Sequence, residues 1–173
     1  MRGSSTDRLL LALLAVLFGT FLYTIRHSFE QRIIEAGDSA PSFAITADSG
    51  KRVTRANFGG KLLVLNFWAT WCPPCIEEMP SLNAFAQQVS KEGVVVLGVS
   101  IDQNEQAYKR FLQQNRLAFE TARDPEAEIA ANYGTFKWPE TYIINADGKV
   151  VEKHIGPKNW NDPALIASVR RHL

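Results

Sequence analysis

Between Leu62 and Val89 the chain passes from a strand pattern, through two cysteines, into a helix pattern. That succession narrows the folds open to it. Leu62 to Trp68 (LLVLNFW) is a nearly continuous apolar run of strand length, the pattern of a strand covered on both faces. Cys72-Pro73-Pro74-Cys75 follows. Met79, Leu82, Phe85 and Val89 then recur at spacings of three, three and four, which places them on one helix face. Val94 to Val99 reads as a second buried strand, and Asn104 to Gln114 as a helix with Tyr108, Phe111 and Leu112 as its stripe. Asp124-Pro125 reads as a helix start leading to Tyr133, and Asp162-Pro163 as the start of a last helix ending at Leu173. Thr141 to Ile144 and Lys149 to Val151 flank Asp147-Gly148, a strong hairpin signal. Phe43 to Thr46 and Lys51 to Thr54 flank the turn Asp48-Ser49-Gly50. The alternation predicts an α/β layer fold with a mixed central sheet, parallel in the middle and antiparallel at the end.

The two cysteines are the only ones in 173 residues. They cannot build a disulfide-dense scaffold or a four-cysteine zinc site. A zinc site would need His27, His154 or His172, none of which pairs with another at metal spacing. Redox chemistry fits better. A cysteine at position 72 would sit at a helix N-terminus, where the helix dipole favours thiolate over thiol. That thiolate would attack a partner's disulfide, and Cys75, one turn on, would resolve the mixed disulfide and leave a Cys72–Cys75 bond. Pro73 and Pro74 restrict the turn, and Trp71 would partly cover it. A formal charge of +1 argues against an electrostatic nucleic-acid binder.

The apolar surplus is uneven. Leu9 to Ile25 runs 17 residues without a charge. As a helix it would span about 25 Å, just short of a hydrocarbon core of roughly 30 Å, with Arg8 and Arg26 able to snorkel. The competing reading is a cleaved signal peptide, but no small-x-small site follows the run, so an uncleaved anchor is favoured. Lys and Arg counts near its two ends almost tie, with Arg2 and Arg8 before it and Arg26 and Arg32 after it, so charge alone does not set the orientation. The expected organisation is a flank (1–8), a membrane anchor (9–25), a polar tether (26–37) and one catalytic domain (38–173). Beyond residue 35 the chain carries 15 basic and 15 acidic groups, so the domain is formally neutral.

The segment from Asn66 to Cys75 (NFWATWCPPC) resembles the active-site segment of thioredoxin-fold proteins, most of all the membrane-tethered TlpA/ResA/DsbE-like thiol–disulfide oxidoreductases. Pro80, five after Cys75, matches the proline inside the active-site helix. Pro139 matches the family's cis-proline, and Glu78 the acidic residue near the active site. The resemblance implies a thioredoxin-like fold with an N-terminal β-hairpin, a central helix–strand–helix insert over residues 102–133, and one preceding transmembrane helix. It implies Cys72, Cys75 and Glu78 as the catalytic set, with Glu78 exchanging a proton with Cys75. Trp71, Trp138 and Pro139 would bind substrate, with the Trp138 backbone free to pair with a substrate strand. No metal or organic cofactor is implied. The implied partners are exported proteins carrying disulfides, apocytochrome c among them, and a membrane thiol carrier of the CcdA or DsbD kind as electron donor. The implied placement is a single-pass protein of the cell membrane, N-terminus cytoplasmic and catalytic domain extracytoplasmic.

Departures from the family patterns sharpen the expectation. Many cytosolic thioredoxins carry a buried Asp where this chain has Asn66, which cannot titrate, so the proton role passes to Glu78. Trp138 is bulkier than the residue common before the cis-proline. Pro139-Glu140-Thr141 resembles the DsbE branch and Glu77-Glu78-Met79-Pro80 the general TlpA proteins, so the branch stays open. A peroxiredoxin would need a PxxxTxxC pattern, but Leu65 and Ala69 stand where the proline and threonine belong. A non-catalytic thioredoxin-fold binding module is the remaining alternative. Whether the dithiol reduces or oxidises depends on its potential, which sequence does not give.

Overall fold

The protein is described by a computed structural model covering residues 5–29 and 33–173, with side chains described for 8–25 and 33–173. Parts of the expected flank and tether therefore lie outside the described residues, as do Arg2 and Arg32. The chain divides into two compact units, 1–32 and 33–173.

Among the described residues the first unit holds one helix, α1 (Ser5–Phe29). Its apolar stretch Arg8–Ile25 has a mean hydropathy of 2.0 and the length of a membrane span. It has no polar face, which distinguishes it from an amphipathic surface helix.

The second unit holds two sheets. A small antiparallel hairpin pairs β1 (Ala44–Thr46) with β2 (Arg52–Thr54). The main sheet has five strands in the order β5-β4-β3-β6-β7. They are β3 (Leu62–Trp68), β4 (Val94–Ser100), β5 (Glu120–Arg123), β6 (Glu140–Asn145) and β7 (Val150–Ile155). The pairs β3–β4 and β4–β5 are parallel, and β3–β6 and β6–β7 antiparallel. The helices are α2 (Pro73–Val89), α3 (Glu105–Asn115), α4 (Glu128–Asn132) and α5 (Pro163–Arg170). This is the expected mixed sheet, with the helix–strand–helix insert formed by α3, β5 and α4.

All seven residues of β3 are buried, as a central strand covered on both faces requires. Each large apolar side chain so buried contributes about 1.5–3 kcal/mol. The two faces differ in chemistry. Asn66 and Thr141, directly opposed in the β3–β6 register, join a polar cluster with Glu78 of α2. Phe67, on the other face, meets Tyr133 and Tyr142 with ring centroids 5.6 and 6.0 Å apart. Gly98 on β4 is the close-approach position: a Cβ there would lie 3.0 Å from the Trp68 indole nitrogen.

One expected helix start shifts. Asp124 does receive the first-turn N–H groups of Glu128 and Ile129, at 3.2 and 2.8 Å. Yet α4 begins only at Glu128, because Ala127 adopts a left-handed conformation (φ 53°) and breaks the run from Pro125. Asp162 does cap α5, accepting from the Ala164 N–H at 2.8 Å, but the helix ends at Arg170 rather than Leu173. Chain just beyond residue 32 is fastened to the sheet unit. Ile34 is buried and donates its N–H to the Tyr133 carbonyl at 3.1 Å, and the Gly37 N–H reaches the Val150 carbonyl at 2.8 Å.

Candidate active site

The buried strand β3 delivers the chain to a short turn, and α2 starts at Pro73. Cys72 is its N-cap: backbone extended, with its sulfur accepting from the Cys75 N–H at 3.3 Å. Pro73 and Pro74 occupy the first helical positions, where a missing N–H costs nothing. The turn of helix brings the cysteines together. They form a disulfide with sulfurs 2.09 Å and Cα atoms 5.3 Å apart. Cys75 is fully buried and Cys72 is 5% exposed, so the N-cap sulfur is the one nearer solvent. In the reduced state the Cys75 N–H, the one first-turn donor that reaches this sulfur, and the helix dipole behind it would favour its thiolate.

Glu78 follows Cys75 by three residues, roughly 5–6 Å away between Cβ atoms on the same helix face. It is 3% exposed. Oε1 accepts from Asn66 Nδ2 at 2.8 Å. Oε2 accepts from the Lys158 N–H at 2.9 Å and from Trp160 Nε1 at 3.4 Å. Burial pushes its pKa above the usual carboxylate range, against the pull of these donors and of the Lys158 charge. Its neighbour Glu77 is exposed, as a surface carboxylate would be. A cleft of about 430 Å³ lined by Glu77, Glu78, Pro80, Ser81 and Lys158 connects this corner to the outside.

The turn before Cys72 is fixed from β4. Asp102, 1% exposed, accepts from the Thr70 N–H at 2.9 Å, the Thr70 hydroxyl at 2.6 Å and the Ser100 hydroxyl at 2.6 Å. In the sequence, Ile101-Asp102-Gln103-Asn104 follows a buried strand and reads either as lining the site or, by preference, as ending the strand and capping a helix; the grip of Asp102 on Thr70, two residues before the nucleophile, is a structural finding. Pro80 lies inside α2. The Trp138–Pro139 bond is cis, at the entrance to β6. Pro139 is buried and Trp138 half-buried, while Trp71 stands 59% exposed beside Cys72 in sequence. No group of His, Cys, Asp or Glu suited to a metal ion occurs among the described residues.

Two features of this corner have no local signal. Lys158 and Trp160 reach Glu78 from 80 and 82 positions away. Glu140 is fully buried behind the cis-proline, where Oε1 accepts from Tyr142 at 2.9 Å and pairs with Lys153 at 3.0 Å.

Comparison with known proteins gives a consistent result. The AhpC/TSA family matches residues 36–153. The thiol-disulfide oxidoreductase ResA of Bacillus cereus is 36% identical over 146 residues, covering 83% of this chain and 84% of that protein. ResA of Geobacillus kaustophilus is 30% identical over 164 residues, covering 94% and 91%. Among solved structures, a chain described as the thiol:disulfide interchange protein DsbE of Chlorobium tepidum superposes with a TM-score of 0.73 at 29% identity, covering 82% of this chain and 99% of that one. StoA of Bacillus subtilis gives 0.65 at 26% identity, covering 75% and 96%. The fold shared with these structures is the thioredoxin-like one.

Proposed function

We propose a working cycle on the premise that this chain belongs to the AhpC/TSA family and, within it, to the ResA-like thiol–disulfide oxidoreductases. It is a protein disulfide oxidoreductase. The finer reading is a membrane-tethered reductase of disulfides in exported proteins. The observation that carries the cycle is the Cys72–Cys75 pair at the start of α2 with buried Glu78 one turn behind it.

In the reduced form Cys72 is the thiolate and Cys75 the thiol. The Cys72 sulfur attacks a substrate disulfide, one substrate sulfur leaves as thiolate, and a mixed disulfide forms. Cys75 then gives its proton to the Glu78 carboxylate and attacks the Cys72 sulfur. The second substrate sulfur leaves, and the Cys72–Cys75 bond closes. Two electrons have passed to the substrate. The proton on Glu78 goes to water through the adjoining cleft. A raised pKa suits this duty, because an acceptor matched to the pH of the medium both takes and releases a proton. Trp71, Trp138 and Pro139 form the face that meets the substrate chain.

Renewal needs an electron donor, and a membrane thiol carrier of the CcdA or DsbD kind fits a protein tethered by α1. The reading places the N-terminus in the cytoplasm and the catalytic unit outside it, as the resemblance to membrane-tethered oxidoreductases of exported proteins implies. Haem-site cysteines of apocytochrome c are the substrate proposed first, since they must be reduced before haem attaches.

The test uses the full chain with Cys75→Ser in its own membranes. Without the resolving thiol, mixed disulfides should accumulate on Cys72 and be identified by mass spectrometry after non-reducing electrophoresis. Exported cysteine-bearing proteins are expected among them. Adducts that persist when Cys72 is also replaced by Ser would contradict the cycle.

A further inference from the structure

Asn66 sits where it can touch Glu78 but cannot itself take a proton. Its Nδ2 donates to Glu78 Oε1 at 2.8 Å and to Thr141 Oγ1 at 2.9 Å, so both amide hydrogens are used. Its Oδ1 is fully buried and has no protein hydrogen-bond partner. An orphaned carbonyl oxygen in a fully buried side chain is unusual. It also has a consequence: nothing on the Oδ1 side holds the amide in one orientation.

We propose that the Asn66 carboxamide is a two-way positioning group, which turns over by half a rotation when Glu78 passes between its ionised and protonated forms. The inference rests on the proton role of Glu78 given above. With Glu78 ionised, Nδ2 donates to it. When the proton from Cys75 comes to lie on Oε1 towards Asn66, Glu78 becomes a donor there, and the amide N–H meets an O–H donor in place of a carboxylate lone pair. Turning about χ2 exchanges Oδ1 and Nδ2, a motion that the broad, two-fold torsion of an amide permits. Oδ1 then accepts from the Glu78 O–H. Thr141 follows, because its hydroxyl both donates and accepts, and its hydrogen swings to the same Oδ1. The nitrogen moves to the position the oxygen left. One amide atom is without a protein partner in either orientation, Oδ1 before the turn and the nitrogen with its two N–H groups after it, so the turn exchanges an orphaned acceptor for orphaned donors in return for the O–H bonds from Glu78 and Thr141. No bond is made or broken in Asn66 and no backbone moves.

The residue type matters. An Asp at this position would accept in its ionised form and repel ionised Glu78, and the two carboxyls would titrate as a coupled pair. Asn serves both forms of Glu78 and adds no charge. Other titratable groups around Glu78 are Lys158, whose charge acts on it, Glu77 beside it on α2, the two thiols in the reduced state, and His154, whose ring lies 5.9 Å from that of Trp160. None of them contacts the Asn66 amide through a hydrogen bond among the described residues.

The experiment follows the two Asn66 side-chain amide protons by NMR across pH, in the reduced full chain with labelled asparagine in detergent micelles. The Asn66→Asp spectrum identifies the signal by its loss. The pH dependence of disulfide reduction is recorded beside it for the wild type and Glu78→Gln. Both amide protons should lose their hydrogen-bonded shifts together as Glu78 is protonated, because the turned nitrogen leaves Glu78 and Thr141 at once. In Glu78→Gln neither should move. If only the proton facing Glu78 moves, or neither does while Glu78→Gln still alters the rate profile, the amide does not turn and the inference is overturned with the proton role intact. If Glu78→Gln leaves the rate profile unchanged, the proton role fails and the inference with it.

Discussion

Glu78 is a carboxylate held 97% out of solvent yet supplied with three donors. Burial disfavours its charge and the donors favour it; burial is the larger effect, so its pKa is raised. The sign for the reaction follows. Reduction of a substrate needs Glu78 ionised, to accept the Cys75 proton, so its rate should rise with pH through the raised Glu78 pKa. Oxidation of a substrate thiol runs the step backwards, needs the proton on Glu78, and should fall over the same interval. Glu78→Gln should remove that inflection from a stopped-flow pH–rate profile and slow the resolving step by roughly 100-fold, the lower end of what a positioned acid–base group contributes. An inflection that survives the substitution belongs to another group.

At the scale of elements, the ion pair between β6 and β7 carries a distinct prediction. Glu140 is fully buried and the Lys153 side chain 4% exposed, their charged atoms 3.0 Å apart. Lys153→Met would leave a buried carboxylate unpaired, a loss of about 3–5 kcal/mol. Chemical denaturation should read it, and Glu140→Gln combined with Lys153→Met should recover part of the loss. Nothing local in the sequence announces this pair: Glu140 stands at a strand start and Lys153 in a half-buried strand. The elements themselves were more legible. β3 coincides with the run from Leu62 to Trp68, because a strand buried on both faces reads as a nearly continuous apolar run, interrupted here by Asn66 alone. The first turn of α2 was legible from Pro73 and Pro74, residues tolerated where N–H groups are unpaired anyway. The start of α4 was not, since Asp124-Pro125 looks the same whether its acceptor caps at once or across a turn ending at Ala127. The cysteines could be read because their relation is one helical turn, and Glu78 through the family resemblance. The Glu78 hydrogen-bond set could not, because Asn66, Lys158 and Trp160 are brought in by sheet pairing and by the approach to α5.

For the whole molecule, the division at residue 32 separates a span-length apolar helix from a sheet unit with its own core. The full chain should stay with the membrane fraction through alkaline carbonate extraction, and a chain beginning at Ile33 should be recovered soluble. The truncated chain should retain disulfide exchange with a small soluble disulfide, since both cysteines and Glu78 belong to the sheet unit. Release of the full chain by carbonate would contradict the anchor. Neither unit offers a spare thiol: both cysteines of the chain are in the redox pair. Every electron the dithiol yields must therefore appear on a partner. The most direct measurement mixes the reduced full chain with an equal amount of a protein carrying one disulfide, quenches by alkylation, and counts labelled thiols on each by mass spectrometry. The expected result is two thiols lost from Cys72 and Cys75 for two gained by the partner, with no transfer from Cys72→Ser. A partner that gains no thiols, or gains them equally from the Cys72→Ser chain, would contradict the assignment.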